Sequence, residues 1–495
     1  MEFDSKLLEA STKAFFKEFS PVKHHIDSFD RFIDHGMQEI INEVASFEPN
    51  VLPPGFADAK VKFGGISIEK PQHQEIDGSV TFLTPGEARI RDLTYASPLM
   101  IKLTLEHDGV EEEPASAELG KLPIMVRSKV CPTNTLSAEE LIKNGEDPDD
   151  PGGYFIINGT ERVIIAIEDL IPNLPLLENK TSTGFEVARL FSEIPGLRIP
   201  HMLERTREGL VRVSFTRVSK IPLTVLFKAL GIKSDKQMME YLSADDRLAE
   251  EVLVNLEAIK EVESSEDALD KIGREMRLGQ GKEYRIQRVQ NVIDQFLLPH
   301  LGTTPSNRIE KARFLGKLAE RLLFFHLKVI PEDDKDCYEN KRLKLAGDLM
   351  QQLFRSVFRA MVQDMRYSFE RIARRGRVPP LNTIIRSQLF SQRLESALGT
   401  GYWVGGRTGV SQHLQRLNFM DTISHLRRVL SPLTTSQPHF EARQLHPTHW
   451  GKLCASETPE GQNIGLRKNL ALLARVTYES DTEAVLGKIR ELGVK

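Results

Sequence analysis

The sequence is poor in cysteine. It has three in 495 residues, Cys131, Cys337 and Cys454, which lie far apart and form no Cys-x-x-Cys pair. This spacing excludes a disulfide scaffold, argues against a structural zinc site and indicates a reducing, cytoplasmic environment. The sequence also lacks any run close to the ~20 apolar residues of a membrane helix, and its start, MEFDSKLLEASTK, lacks the apolar core of a signal peptide. These absences exclude a membrane protein and a small secreted domain.

The remaining composition is typical of a globular protein with several domains. Apolar residues make up 40% and charged residues 27% of the chain, which excludes a disordered protein. At roughly 100–200 residues per domain, the length predicts about three domains. The net charge of −4 is unevenly distributed, because residues 341–428 contain sixteen Lys and Arg but only five Asp and Glu. That asymmetry indicates either a surface that meets a polyanion or an ordinary solvated basic helix face.

The first 170 residues combine a helix with a sheet-rich region. Apolar residues recur at helical spacing in HHIDSFDRFIDHGMQEIINEV, whereas short alternating runs predict strands over 61–130. The acidic GEDPDDPGG predicts a loop and not a calcium site, because Pro151 occupies a ligand position. A β-hairpin is predicted next, with strands Tyr154–Ile157 and Arg162–Ile167 around Asn158-Gly159.

A second block covers residues 171 to about 330, with strands first and then helices, of which 236–262 is strongly acidic. The longest periodic segment follows it. Its apolar stripe, from Leu349 to Ile372, predicts one helix of about 35 residues and roughly 50 Å that ends at Gly376. Such a stripe is typical of a core and not of a cofactor site. The helix surface is predicted to carry Arg355, Arg359, Arg366, Arg371, Arg374 and Arg375.

No segment carries a complete catalytic motif. A dinucleotide fingerprint, a phosphate loop, a nucleophile elbow and a tight Asp cluster for magnesium are all missing. The sequence HPTH places His446 and His449 near Glu457 and Glu460, but Pro447 makes a ligand-bearing helix improbable. The chain is therefore a weak enzyme candidate alone and is more typical of a part of an enzyme.

Four long segments resemble successive landmarks of the second-largest subunit of multisubunit DNA-directed RNA polymerases. They are GGYFIINGTERVIIAIED, DKDCYENKRLKLAG, GVSQHLQRLNFMDTISHLRRVLSP and RQLHPTHWGKLCASETPEGQNIGLRKNLAL. HHIDSFDRFIDHGMQEII, LPPGFADAKVKFGGISIEKP and LPIMVRSKVCPTNT are similar to archaeal and eukaryotic members. The resemblance covers about residues 20–475. Because the sequence ends soon after ETPEG, it resembles the amino-terminal half, known as B'' (B double-prime), of the polypeptide that certain archaea split in two.

The resemblance implies an α+β multidomain fold. Residues 1–170 and 331–390 would form a protrusion-like domain, and 171–330 a lobe-like domain inserted into it. Residues 391–475 would be a fork-like region, and 476–495 a tail at the junction with the catalytic half-subunit.

The resemblance also implies two groups of site residues, with no catalytic residue and no metal ligand assigned to this chain. The residues expected near the active centre are Gln412, Asp421, His425, Arg427, Arg428, Arg443, His446, His449, Glu457, Glu460 and Asn463. Those expected at the nucleic-acid backbone are Arg366, Arg371, Arg374, Arg375, Arg377, Arg386 and Arg407. Within the first group, Gln412, Asp421, His425 and Arg428, with Ser411, match the rifamycin-pocket pattern of bacterial enzymes. Leu430 and LSPLTTSQPHFEAR depart from that pattern, so a drug-insensitive surface is expected.

The function implied is that of a non-catalytic half-subunit that lines the DNA cleft and acts only in the assembled nucleotidyltransferase. The expected partners are the other half of the split polypeptide, the largest and assembly subunits, the DNA template and the RNA–DNA hybrid, with no membrane. No cofactor is expected on this chain, and magnesium is expected on the largest subunit. The alternative is a free-standing nucleic-acid-binding or metal-dependent hydrolytic protein that uses the HPTH and Glu cluster.

Overall fold

The chain folds into two compact units, as described by a computed structural model. Unit 1 comprises Met1–Asp169 and Leu343–Lys495, and unit 2 comprises Leu170–Arg342. The structure describes residues 5–180, 184–243, 245–257, 262, 264–279, 281–436, 438–477 and 482–493. Parts of the predicted acidic helices (236–262) and of the predicted tail (476–495) lie outside these residues.

The first part of unit 1 mixes helices and strands. Its helices are α1 (Ser5–Glu18), α2 (Lys23–Arg31), α3 (Met37–Val44), α4 (Pro85–Ile90) and α5 (Ala138–Lys143). Its strands are β1 (Ser46–Phe47), β2 (Ala59–Ile68), β3 (Gln72–Gln74), β4 (Val80–Phe82), β5 (Ala96–His107), β6 (Val110–Glu111), β7 (Ala115–Pro123), β8 (Phe155–Ile157), β9 (Thr160–Ile164) and β10 (Ala166–Leu170). The sheet-rich region predicted at 61–130 is confirmed. The helix predicted before it is interrupted by a π-helical turn at Phe32–Gly36, between α2 and α3.

Unit 2 has its strands first and its helices afterwards, as its sequence predicts. They are β11 (Leu176–Lys180), β12 (Phe185–Ile194), β13 (Leu197–Arg205), β14 (Val211–Phe215), β15 (Val218–Pro222), α6 (Leu223–Ala229), α7 (Asp235–Leu242), α8 (Ala249–Glu257), α9 (Ser265–Glu275), α10 (Lys282–Phe296) and α11 (Arg308–His326). The five strands form one antiparallel sheet in chain order. Residues after α11 remain with this unit, because the backbone N–H of Asp333 donates to Leu177 at 3.0 Å and Asp333 Oδ2 accepts from Leu177 N–H at 2.8 Å.

The chain returns to unit 1 through β16 (Lys341–Lys344). The elements that follow are α12 (Ala346–Ala373), α13 (Ser387–Thr400), β17 (Ser411–His413), α14 (Phe419–Leu426), β18 (Arg428–Leu430), α15 (Phe440–Arg443), β19 (Arg467–Asn469) and α16 (Thr482–Glu491). No helix of the described residues is long and apolar enough to cross a membrane.

The long basic helix is α12, and its apolar stripe is confirmed as core from Leu349 to Phe369, whereas Ile372 is only partly buried. The buried side chains are Leu349, Leu353, Val357, Met361, Met365 and Phe369. The helix has 28 residues and not about 35. It begins at Ala346, after β16, and ends at Ala373, where the following turn closes with Gly376 at φ +74°. The prediction that Arg355 lies on the surface is wrong. Arg355 is buried, and it forms two hydrogen bonds of 2.9 and 2.8 Å to the carboxylate of Glu43.

The predicted hairpin is confirmed, with Ile157 paired to Thr160 across the turn. Asn158 and Gly159 have φ of +48° and +72°, the left-handed values that a two-residue hairpin turn requires. The second strand is shorter than predicted, because it ends at Ile164 and β10 belongs to a different sheet.

Candidate nucleic-acid interface

Residues 391–475, predicted as the fork-like region, are joined to the first part of unit 1 by strand pairing. Strand β17 pairs antiparallel with β9, and β18 pairs parallel with β10 and antiparallel with β19. Helix α14 lies between β17 and β18 in the chain. It is capped by Asn418, whose side chain accepts a hydrogen bond from the backbone N–H of Asp421 at 2.8 Å. The polar side chains of this region are therefore presented by short, paired elements.

His425 is buried and neutral. Its Nδ1 accepts from the backbone N–H of Gln415 at 3.2 Å, so its Nε2–H faces Gln412 Oε1 at 3.3 Å. Burial, with the nearby charge of Arg428, lowers the pKa of His425 to about 4. The side chain therefore orders the β17–α14 connection.

Arg427 supports the fold and does not face solvent. It is 5% exposed, and it donates to the carbonyls of Pro21 and Ala471, both at 2.5 Å. Burial lowers the pKa of its guanidinium. The adjacent His25 is also buried, and its Nε2 lies 2.7 Å from the carbonyl of Leu426. Arg427, which was expected near the active centre, therefore uses these guanidinium donors within the chain.

Arg428 lies on a more open face of the β18–β19 pair. Its Nη2 donates to Gln415 Oε1 at 3.3 Å. Burial lowers the pKa of the Arg428 guanidinium, and the nearby charge of Arg467 on β19 lowers it further. Asp421 accepts from Leu417 N–H at 3.4 Å, and Glu457 accepts from the Ser424 hydroxyl. Arg467 is a member of this cluster that the sequence motifs did not single out.

The HPTH segment and its neighbours fold as polar loops. The Arg443 guanidinium donates to the carbonyls of Pro438, Gln462 and Ile464 at 2.7–2.9 Å, so it ties two loops together. His446 Nδ1 accepts a hydrogen bond from the backbone N–H of Thr448 at 3.2 Å. His449 is buried, Asn463 is partly buried and Glu460 is exposed. Among the described residues no three His, Cys, Asp or Glu side chains are placed to hold a metal ion.

The end of the fork-like region is fixed by a buried ion pair. Lys468 Nζ lies 2.9 and 3.2 Å from the two carboxylate oxygens of Glu168, and the two side chains are 8% and 2% exposed. Lys468 lies within the apolar-rich run NIGLRKNLALLARV, in which Leu466 and Leu470 are buried within the chain.

A second charged network, which the sequence did not reveal, joins the GEDPDDPGG loop to the residues before α14. Arg416 binds both oxygens of Glu161 at 2.7 and 2.8 Å and Asp150 at 3.2 Å. Arg89 binds Glu161 at 2.8 Å and the Tyr154 hydroxyl at 2.6 Å. Burial alone would raise the pKa of Glu161, but the two guanidinium groups lower it. The acidic loop is confirmed as a loop, and its Asp150 helps to hold Arg416 in place.

The arginines predicted at the nucleic-acid backbone fall into three groups, which are paired with a carboxylate, partly buried, or exposed. Arg407 lies 2.7 Å from the buried Asp169, and Arg386 Nε lies 2.7 Å from Asp364, so both are neutralised within the chain. Arg366 is partly buried on α12. By contrast, four arginines at the end of α12 are exposed and have no carboxylate of the described residues in ion-pair distance: Arg371, Arg374, Arg375 and Arg377.

Comparisons with known proteins place this geometry in context. Residues 20–392 match the family described as RNA polymerase beta subunit, and residues 412–476 match RNA polymerase Rpb2, domain 3. The chain is 45% identical to the DNA-directed RNA polymerase subunit Rpo2N of Methanococcus vannielii, over 97% of this chain and 98% of that protein. It is 42% identical to Rpo2N of Halobacterium salinarum, over 98% of this chain and 95% of that protein. The match to subunit Rpo2 of Sulfolobus acidocaldarius, at 43% identity, spans 99% of this chain but 44% of that protein.

Proposed function

The chain belongs to the RNA polymerase beta-subunit family, and we propose that it serves as the amino-terminal half of the second-largest subunit of a DNA-directed RNA polymerase. The observation that carries the proposal is the difference in coverage. The chain spans nearly all of the proteins named Rpo2N but less than half of those named Rpo2. This supports the half-subunit over a free-standing nucleic-acid-binding or hydrolytic protein.

We assign the protrusion-like and fork-like roles to unit 1 and the lobe-like role to unit 2. The support is the chain order, because unit 2 is inserted between the two parts of unit 1. The chain would be inactive alone, with the catalytic magnesium held by the largest subunit. Co-purification with the other polymerase polypeptides tests the function, and RNA synthesis by the isolated chain at the rate of the assembled enzyme would overturn the inactive half-subunit.

The interface with the other half would lie near residues 463–477. Leu472 and Leu473 are 62% and 68% exposed. They border a cavity of about 270 Å³ that Phe15 and Phe19 also line. Exposed apolar surface beside a cavity is typical of a protein interface. Hydrogen exchange of residues 463–477 should slow when the companion polypeptide is added, and identical exchange would contradict the interface.

The exposed end of α12 would bind backbone phosphates of DNA. Phosphate contacts position a protein without reading sequence, and each lost contact lowers the slope of log K against log salt by about 0.9. Replacing Arg371, Arg374 and Arg375 together by Ala should therefore lower the salt slope of the assembled enzyme by about 3 units without moving the start site. The matched control is Arg386→Ala, because Arg386 is already paired with Asp364. An unchanged slope in the triple variant, with assembly intact, would remove this helix from the DNA surface.

A further inference from the structure

Two arginines share one face of the β18–β19 pair. Arg428 lies opposite Asn469, and Leu430 lies opposite Arg467. Residues directly opposite in an antiparallel pair project to the same face, and side chains alternate along each strand. Arg428 and Arg467 are therefore diagonal neighbours on this face, whereas Lys468 points to the other face and binds Glu168.

Neither arginine forms an ion pair with a carboxylate of the described residues. Both side chains are partly buried, and their proximity lowers the pKa of the Arg428 guanidinium, after the larger effect of burial. The only side-chain hydrogen bond of Arg428 among the described residues is the one to Gln415, and Arg467 Nε is buried without a hydrogen-bond partner there.

The neighbouring carboxylates do not neutralise the pair. Asp421 and Glu457 are near enough to offset its charge at longer range, but neither forms an ion pair with Arg428 or Arg467 in the described part of the chain. Asp421 accepts from Leu417 N–H, and Glu457 accepts from the Ser424 hydroxyl. The buried Arg467 Nε cannot be reached by a ligand, but the Nη donors of Arg467 and most donors of Arg428 remain available.

Two adjacent guanidinium groups with unused donors suit a phosphate. Each guanidinium presents five N–H donors in a planar fork that matches phosphate oxygens. Like charges brought together at a partly desolvated surface disfavour the free state, and a bound anion relieves that repulsion. A phosphodiester can bridge two such forks, since it has two unesterified oxygens.

We propose that Arg428 and Arg467 together bind one backbone phosphate of the nucleic acid in the assembled enzyme. This inference rests on the proposed function, and it adds Arg467 as a binding residue and pairs it with Arg428. The two sources of the phosphate are the transcript and the DNA template, and the experiment below separates them.

The first test is the stability of the isolated full-length chain. Arg467→Leu should raise the melting temperature at low ionic strength by roughly 2 °C, because it removes the repulsion. Added inorganic phosphate should raise the melting temperature of the wild type more than that of the variant, at ionic strength matched with NaCl. A variant that melts below the wild type, with equal phosphate effects, would mean that Arg467 supports the fold, and would overturn the proposal.

The second test uses the assembled enzyme on a synthetic transcript–template scaffold. Arg467→Leu should lower the salt slope of scaffold binding by about 0.7–0.9 unit, and the matched control Arg207→Leu, at an exposed turn of unit 2, should leave it unchanged. Neutral methylphosphonate linkages are placed one at a time in either strand. One linkage should weaken wild-type binding and have no effect in Arg467→Leu, and its strand identifies the source.

The outcomes separate this inference from the proposed function. If the variant assembles and synthesises RNA but shows the wild-type slope and responds to every methylphosphonate as the wild type does, the phosphate site is refuted and the half-subunit function stands. If Arg467→Leu weakens assembly alone, the pair binds a carboxylate of another polypeptide, which also overturns the phosphate site. Failure of the wild-type chain to assemble with polymerase subunits would instead refute the function.

Discussion

Replacing Lys468 by Met should destabilise unit 1 by about 3–5 kcal/mol. The wild-type ammonium lies 2.9 and 3.2 Å from the oxygens of Glu168, and both side chains are less than a tenth exposed. The variant removes this ammonium from the buried Glu168 carboxylate, and deleting one member of a buried ion pair costs far more than an exposed pair is worth.

The double variant Glu168→Leu with Lys468→Met separates the cost of the lost partner from the worth of the pair. Replacing both charges by apolar side chains of similar volume should be neutral or stabilising by about 1–4 kcal/mol, because neither charge of this pair is then left buried without the other. The strands β10 and β19 should then stay in place.

The assay is urea unfolding followed by tryptophan fluorescence. Both tryptophans, Trp403 and Trp450, belong to unit 1, so the signal reports that unit alone. Trp403 is 5% exposed and donates from Nε1 to the carbonyl of Leu349 at 3.0 Å, whereas Trp450 is 92% exposed. The change on unfolding therefore comes mainly from Trp403. A cost below about 1 kcal/mol for the single variant, or an equal cost for the double variant, would refute the reasoning.

Two further predictions use the same assay. Burial lowers the pKa of His25 and His425 to about 4. Because an unfolded histidine titrates near pH ~6.5, the unfolded chain binds more protons than the folded chain between that pH and about 4. The free energy of unfolding should therefore fall as the pH drops through this range, by up to about 3 kcal/mol for each histidine. The variant His25→Gln should show a shallower fall, and an identical pH profile would contradict this. Gly347→Ala should lower the free energy of unfolding by about 1–3 kcal/mol, because a Cβ there would lie 1.8 Å from the carbonyl oxygen of Ser28 and would force α12 away from α2. An unchanged urea midpoint would contradict this close approach. The control is Gly487→Ala, because a Cβ at that position meets nothing within 4 Å.

The elements that the sequence predicted correctly are those determined by neighbouring residues, such as a turn or the apolar face of a helix. The Asn158-Gly159 turn needs two left-handed residues, and Asn and Gly adopt that conformation most readily. The apolar stripe of α12 recurs at helical spacing, and it is the buried face. The resemblance to polymerase subunits, which the comparisons confirm, was carried by long motifs and not by composition.

Contacts between residues far apart in sequence could not be predicted in the same way. The division between the units falls after Arg342 and not near 330, because Asp333 binds Leu177 across 156 residues. The network of Arg89, Glu161 and Arg416 joins three segments, none of which carries a pattern that identifies its partners. Periodicity describes one element at a time, and these contacts depend on how elements pack.

Arg427 and Arg428 show how this limits the assignment of site residues. They are adjacent, and composition treats them alike, but the change from α14 to β18 sends their side chains in different directions. Arg427 is buried on the carbonyls of Pro21 and Ala471, whereas Arg428 lies beside Arg467 on the open face of the strand pair. A buried guanidinium whose donors are satisfied by the chain cannot bind a phosphate without breaking those bonds. A partly exposed one with unused donors can do so at little structural cost. The distinction that matters for the proposed nucleic-acid binding is therefore whether the fold already pairs each arginine with a carboxylate or with carbonyls of the chain. Such pairing divides Arg386, Arg407, Arg427 and Arg443 from Arg371, Arg374, Arg375, Arg377, Arg428 and Arg467.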